Sequence, residues 1–216
     1  SAASDVYKRQ TYTALMIGKK YYKNTVYFNM EDSQELVSIF EKDFDIERII
    51  TELSIRSGES IFKNETLIIF DEIQACERAL LSLKYFCEKA PEYHIIAAGS
   101  LLGVALNREK YSFPVGKVDM ITMYPMDFEE FLWANGIEPP LPSILENCLS
   151  EEKPVPDALH HRMRQLLLQY AVVGGMPDAV NAFINTHRLD RVLQIQRDIV
   201  RSYKDDMICL LYTSPS

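Results

Sequence analysis

The chain reads as an α/β protein: a parallel sheet flanked by helices, continued by a partial helical domain. Three observations predict this. Short β-branched and aromatic runs alternate with amphipathic stretches through residue 137, as strands joined by helical crossovers do. One run, Leu67-Ile68-Ile69-Phe70, is apolar without interruption, which suits a strand buried on both faces. Beyond a proline-rich stretch the strand signal ends and only helical periodicity continues.

Each element follows from local pattern. Residues 11–22 read as a helix with Tyr12, Leu15, Met16 and Lys19 along one side, and 25–29 (TVYFN) as a strand. Asp32 with Glu35 forms a capping-box pattern. It opens a stretch in which Leu36, Phe40, Ile46, Ile49, Ile50 and Leu53 recur near helical spacing. A break near Asp43 divides it into two helices, and Gly58 ends the second. Residues 66–70 form the next strand. A helix at 76–90 follows, with Leu80, Leu83 and Cys87 inward and Pro91 past its end. Residues 94–98 form a third strand and 117–123 a weaker fourth. Asp127 and Glu130 open a short helix that Asn135-Gly136 closes.

Five of the ten prolines fall between 138 and 157, which places a linker there, after a domain at 11–137. From 158 to 208 the chain is helical. One stripe carries Leu159, Met163, Leu166, Leu167 and Tyr170, another Val192, Ile195, Ile199 and Tyr203. The ends, 1–10 (SAASDVYKRQ) and 209–216 (CLLYTSPS), break the periodicity and resemble translated adapter read-through. The expectation is a native segment of 11–208, cut at both sides.

A net charge of −8 and a pI near 5.1 argue against a general nucleic-acid coat protein, which needs a basic surface. Cys76, Cys87, Cys148 and Cys209 lack metal-ligand spacing, so reduced thiols in a cytoplasmic protein are expected. No apolar run approaches the ~18 residues of a membrane span, so no membrane partner is expected.

The chemistry concentrates at Asp71-Glu72, where the buried strand ends. Ligands of open α/β sheets bind beyond strand C-termini. Triphosphate hydrolysis needs a magnesium ion on the phosphates and a group that orients and deprotonates water. Asp71 suits the first role through a water of the ion, and Glu72 the second as general base. The alternative is that Asp71-x-x-Gln74 merely caps a helix. Ser100, after the third strand, could sense a terminal phosphate or serve as an ordinary turn residue. The sequence contains no Gly-x-x-x-x-Gly-Lys-[Ser/Thr] loop to wrap phosphate.

Four blocks together, LIIFDEIQ, AAGSLLGVAL, SFPVGKVDMITMYPMDFEEFL and YAVVGGMPDAV, resemble the prokaryotic AAA-type ATPases that join an N-terminal nucleotide-binding domain to a C-terminal domain of unknown function. The resemblance implies a P-loop NTPase-like fold with ATP and Mg2+ as cofactors. Asp71 and Glu72 match its second phosphate-site motif (Walker B), and Ser100 matches its polar sensor. Thr11 falls where the Gly-rich loop ends in Gly-Lys-Thr, which makes it a nucleotide and metal contact. The loop and the strand before it are then missing, and the chain as written is expected not to hydrolyse ATP. The blocks around Pro125, Phe128, Glu129 and Phe131 and at Gly174-Gly175-Met176-Pro177 match motifs best explained by packing. Lys117 stands where the family often has Arg, which removes the planar fork of an arginine finger.

Weaker signals have plainer readings. His160 and His161 are adjacent, so they do not share a helix face. Arg162, Arg164, Arg188, Arg191, Arg197, Arg201 and Lys204 give the C-terminal helices a basic bias that suits a solvated face. Arg108 reads as a surface loop residue. The rival function is an interaction or DNA-binding module that keeps the ATPase architecture. A protein or nucleic-acid target stays open on either reading.

Overall fold

The computed structural model describes residues 3–99, 118–137 and 141–212, with side chains from 9 to 99, 118 to 137 and 143 to 204. It divides into two compact units, Tyr7–Thr122 and Met123–Ser216 with Ser1–Val6.

In the first unit three parallel strands, β1 (Asn24–Asn29), β2 (Thr66–Asp71) and β3 (His94–Ala97), lie in the order β1-β2-β3. Asn29 is level with Asp71, and Phe70 with Ala97. Every residue of β2 is buried, because its two faces meet different helices. Ile68 and Phe70 join a core with α2 (Gln34–Glu41), α3 (Ile46–Ser57) and α4 (Glu77–Lys89). Leu67 and Ile69 pack on Ala14 of α1 (Ala3–Tyr21). The uninterrupted apolar run therefore marks a central strand, as expected.

Three local expectations are corrected. The inward face of α1 is Ala14 and Gly18, whereas Tyr12, Leu15 and Met16 are exposed. A Cβ on Gly18 would lie 2.1 Å from Thr25 Oγ1, so the helix approaches the sheet too closely for large residues on that face. α2 is capped by Ser33, whose Oγ accepts from Leu36 N–H at 3.2 Å, and not by Asp32. Cys87 faces outward; Ala79, Leu80, Leu83 and Phe86 carry the inner stripe of α4. The break near Asp43 and the stop at Gly58 (φ 71°) are as expected.

The fourth strand does not form at 118–123, where Met120 and Ile121 are exposed. Its β-branched residues pair with no described strand, and residue 117 lies outside the described residues.

The second unit is helical: α5 (Phe128–Ala134), α6 (Leu141–Ser150), α7 (Asp157–Val173), α8 (Pro177–Thr186) and α9 (Leu189–Tyr212). Phe131, Leu166, Val173, Phe183 and Val192 form its core. The capping box of α5 is complete: Glu130 N–H donates to Asp127 Oδ1 at 2.8 Å and Asp127 N–H to Glu130 Oε2 at 3.1 Å. This helix packs with α7 and α8, and the compact units divide at 122/123. The proline-rich stretch itself contains α6, with Pro142 in its first turn, where a missing N–H costs nothing. Helices also run through 3–10 and 209–212, segments whose sequence shows no matching period.

Candidate functional site

The end of β2 gathers residues from three elements. Asp71 is fully buried. Its Oδ2 accepts the Thr11 hydroxyl of α1 at 2.8 Å and the Tyr27 hydroxyl of β1 at 2.6 Å. Its Oδ1 accepts the Glu72 N–H at 3.2 Å. Burial of a carboxyl group is tolerated when hydrogen-bond donors meet it, and here two hydroxyls and a backbone amide do so. Strand register brings Tyr27 to this contact, since it is level with Ile69, one residue pair below Asp71 on the same sheet face. Burial first, then the hydrogen bond to Asp71 and its charge, pushes the Tyr27 phenol above its ordinary range.

Glu72 leaves the strand in the left-handed region (φ 48°, ψ 42°) and is half-buried. The Gln74 side-chain amide donates to its carboxylate. The short turn Ile73–Ala75 has no side-chain cap, and α4 beyond it is capped by Cys76 Sγ, which accepts from Ala79 N–H at 3.4 Å. Helix capping thus falls to Cys76 and leaves Asp71 directed at Thr11 and Tyr27.

Of the sequence-derived site residues, Thr11, Asp71 and Glu72 come together. Ser100, Lys117 and Arg108 lie outside the described residues. Tyr27 is the participant the sequence did not reveal, because its role depends on strand register. His160 and His161 are exposed. His94 is tied to the Tyr22 hydroxyl at 2.9 Å, a packing role. Among the described residues no group of three His, Cys, Asp or Glu could cage a metal.

The donors suit magnesium, a hard cation that takes carboxylate and hydroxyl oxygens and keeps much of its water. One further acceptor accompanies them in sequence. Gln74 Oε1, two residues after Glu72, is buried without a hydrogen-bond partner. Such an oxygen suits a water of a hydrated ion.

A parallel sheet with helices on both faces is the architecture of a P-loop NTPase-like fold. A family model described as an AAA domain matches residues 10–132, more than half of the chain, and the chain belongs to that family of nucleotide-binding ATPase domains. No curated protein and no solved structure matches it. No described helix is long and apolar enough to cross a membrane.

Proposed function

We propose that the end of β2 is the metal-holding and water-activating half of an ATP hydrolysis site. The observation that carries this is the Thr11–Asp71 hydrogen bond. Two residues sixty positions apart, both expected at the metal, meet at 2.8 Å. In this reading Asp71 and Thr11 hold Mg2+, Asp71 through water and Thr11 through a hydroxyl lone pair. The ion supplies positive charge against the phosphates. Glu72 accepts the proton of the attacking water, and Ser100 senses the terminal phosphate. Hydrolysis would serve as a conformational switch or motor on a protein or nucleic-acid target.

No Gly-rich phosphate loop is among the 216 residues. Its backbone amides are what wrap phosphate, so the polypeptide as it stands is proposed to lack turnover. The test compares Mg2+-dependent ATP hydrolysis by this chain with that of a form carrying its gene's own upstream sequence. The expected result is a Gly-x-x-x-x-Gly-Lys directly before Thr11 and turnover by the extended form alone. Glu72→Gln in that form should abolish turnover and spare nucleotide binding. Turnover that survives Glu72→Gln, or turnover by the 216-residue chain, contradicts the proposal.

A further inference from the structure

α9 carries two apolar stripes, and the fold buries one. Val192 and Ile195 belong to the core of the helical unit. Leu189, Leu193, Val200 and Tyr203 recur at helical spacing along an adjacent line and stay exposed. Val192 is 0% exposed, whereas Val200 is 53% exposed. Within this second line Gln196 turns toward α7. Its side-chain amide donates to Val172 O at 2.9 Å and to Val173 O at 3.0 Å, carbonyls that the end of α7 leaves without helical partners. These bonds seat α9 against the last turn of α7, where Leu168 and Val172 are exposed one turn apart. Single exposed apolar residues are ordinary, but a patch that runs over two bonded helices marks an interaction site.

The border of the patch away from α7 is cationic. Leu193, Gln196 and Val200 line a surface groove together with Arg197, Arg201 and Lys204, and no described carboxylate lines it. Among the described residues none of these three cations has an ion pair or a hydrogen bond. Three unpaired cations beside an apolar floor are distinctive in a chain of net charge −8, and they select an occupant. A second copy, docked through the same face, would set like charges against each other across a two-fold interface. The phosphates of a nucleic acid would meet the cations but bring nothing to the floor of Leu193 and Val200. An amphipathic helix with carboxylates along one border satisfies both.

We propose that the α7–α9 face docks an acidic amphipathic helix of another polypeptide. The apolar side of that helix lies on Leu193 and Val200, and its carboxylates pair with Arg197, Arg201 and Lys204. Nothing in this depends on the metal assignment of Asp71.

The test follows the fluorescence anisotropy of three labelled synthetic peptides titrated with the 216-residue chain. Each is a helix of about twenty residues with Leu at i, i+3, i+4 and i+7, and they differ only in a flank of Glu, Gln or Lys. The Glu peptide should bind about five-fold tighter than the Gln peptide, the worth of two or three exposed ion pairs, and the Lys peptide should bind weakest. Val200→Glu should abolish binding of the Glu peptide. A double variant, Arg197→Glu with Arg201→Glu, should reverse the order and prefer the Lys peptide. Thermal melts check that each variant folds, and a folding defect does not produce a reversed preference. Equal binding of the three peptides, no binding of any, or an order that the double variant leaves unchanged overturns the proposal. Self-association in sedimentation that Val200→Glu removes also overturns it and assigns the face to a second copy. Binding to phosphatidylserine vesicles or to duplex DNA in preference to the Glu peptide, lost in the same variants, overturns it in favour of a lipid surface or nucleic acid.

Discussion

Glu72 occupies a backbone conformation that costs an L-residue about 1–2 kcal/mol. Strain of this kind at a strand end points to a function served by the side chain. Asn tolerates the left-handed region better than Glu. Glu72→Asn is therefore expected to leave stability unchanged or to raise it by up to about 1 kcal/mol, read from the urea midpoint. A loss of more than that would mean that the Glu72 carboxylate anchors the fold through Gln74. Asp71 and Glu72 are legible in the sequence because strand and carboxylates are contiguous there. Tyr27 is not, because TVYFN says that a strand forms but not which residue of the next strand it faces.

At the scale of elements, helices and strands follow from period and caps where one residue type dominates a face. α1 departs from this. A helix lying close on a sheet needs small residues, so its inner face, Ala14 and Gly18, carries no apolar signal, and the bulky outer residues supply a misleading one. The same demand for closeness joins two motifs in the helical unit. Met126 N–H donates to Gly175 O at 2.7 Å, and Tyr170 Oη–H donates to Met126 O at 2.8 Å. A Cβ at Gly175 would stand 2.0 Å from Met126 O, a backbone atom with little freedom to move. Gly175→Ala should thus cost about 2–3 kcal/mol, at the upper end of overpacking losses, measured by thermal or urea unfolding. A change below about 0.5 kcal/mol, the size of an ordinary surface substitution, would show that the 126–175 contact is not held. Gly174, at φ 70°, adds a turn that other residues adopt at a cost.

At the scale of the molecule, the described residues form a hydrophobic core on each face of β2 and a separate one around Phe131 and Phe183. Prolines mark loops and helix starts as readily as domain boundaries, so the proline-rich stretch at 138–157 and the compact units, divided at 122/123, report different features of the chain. What assigns α5 to the helical unit is the packing of Phe131, visible only once the chain is folded. Each unit contains its own reporter. Cys76 is buried under the sheet, and burial pushes its thiol above its ordinary range, which slows its reaction. Cys87 is exposed on the same unit. Trp133, the single tryptophan, lies on α5 of the helical unit. A thiol reagent should therefore modify Cys87 rapidly in the native protein and reach Cys76 only as the sheet unit opens. Along a urea series, Cys76 modification and Trp133 fluorescence should change at different midpoints, since two cores that share no residues need not melt together. Coincident midpoints would show that one cooperative transition spans both units. Fast modification of Cys76 in the absence of urea would show instead that the sheet core is already open, and the close Thr11–Tyr27–Asp71 cluster could not then persist in solution.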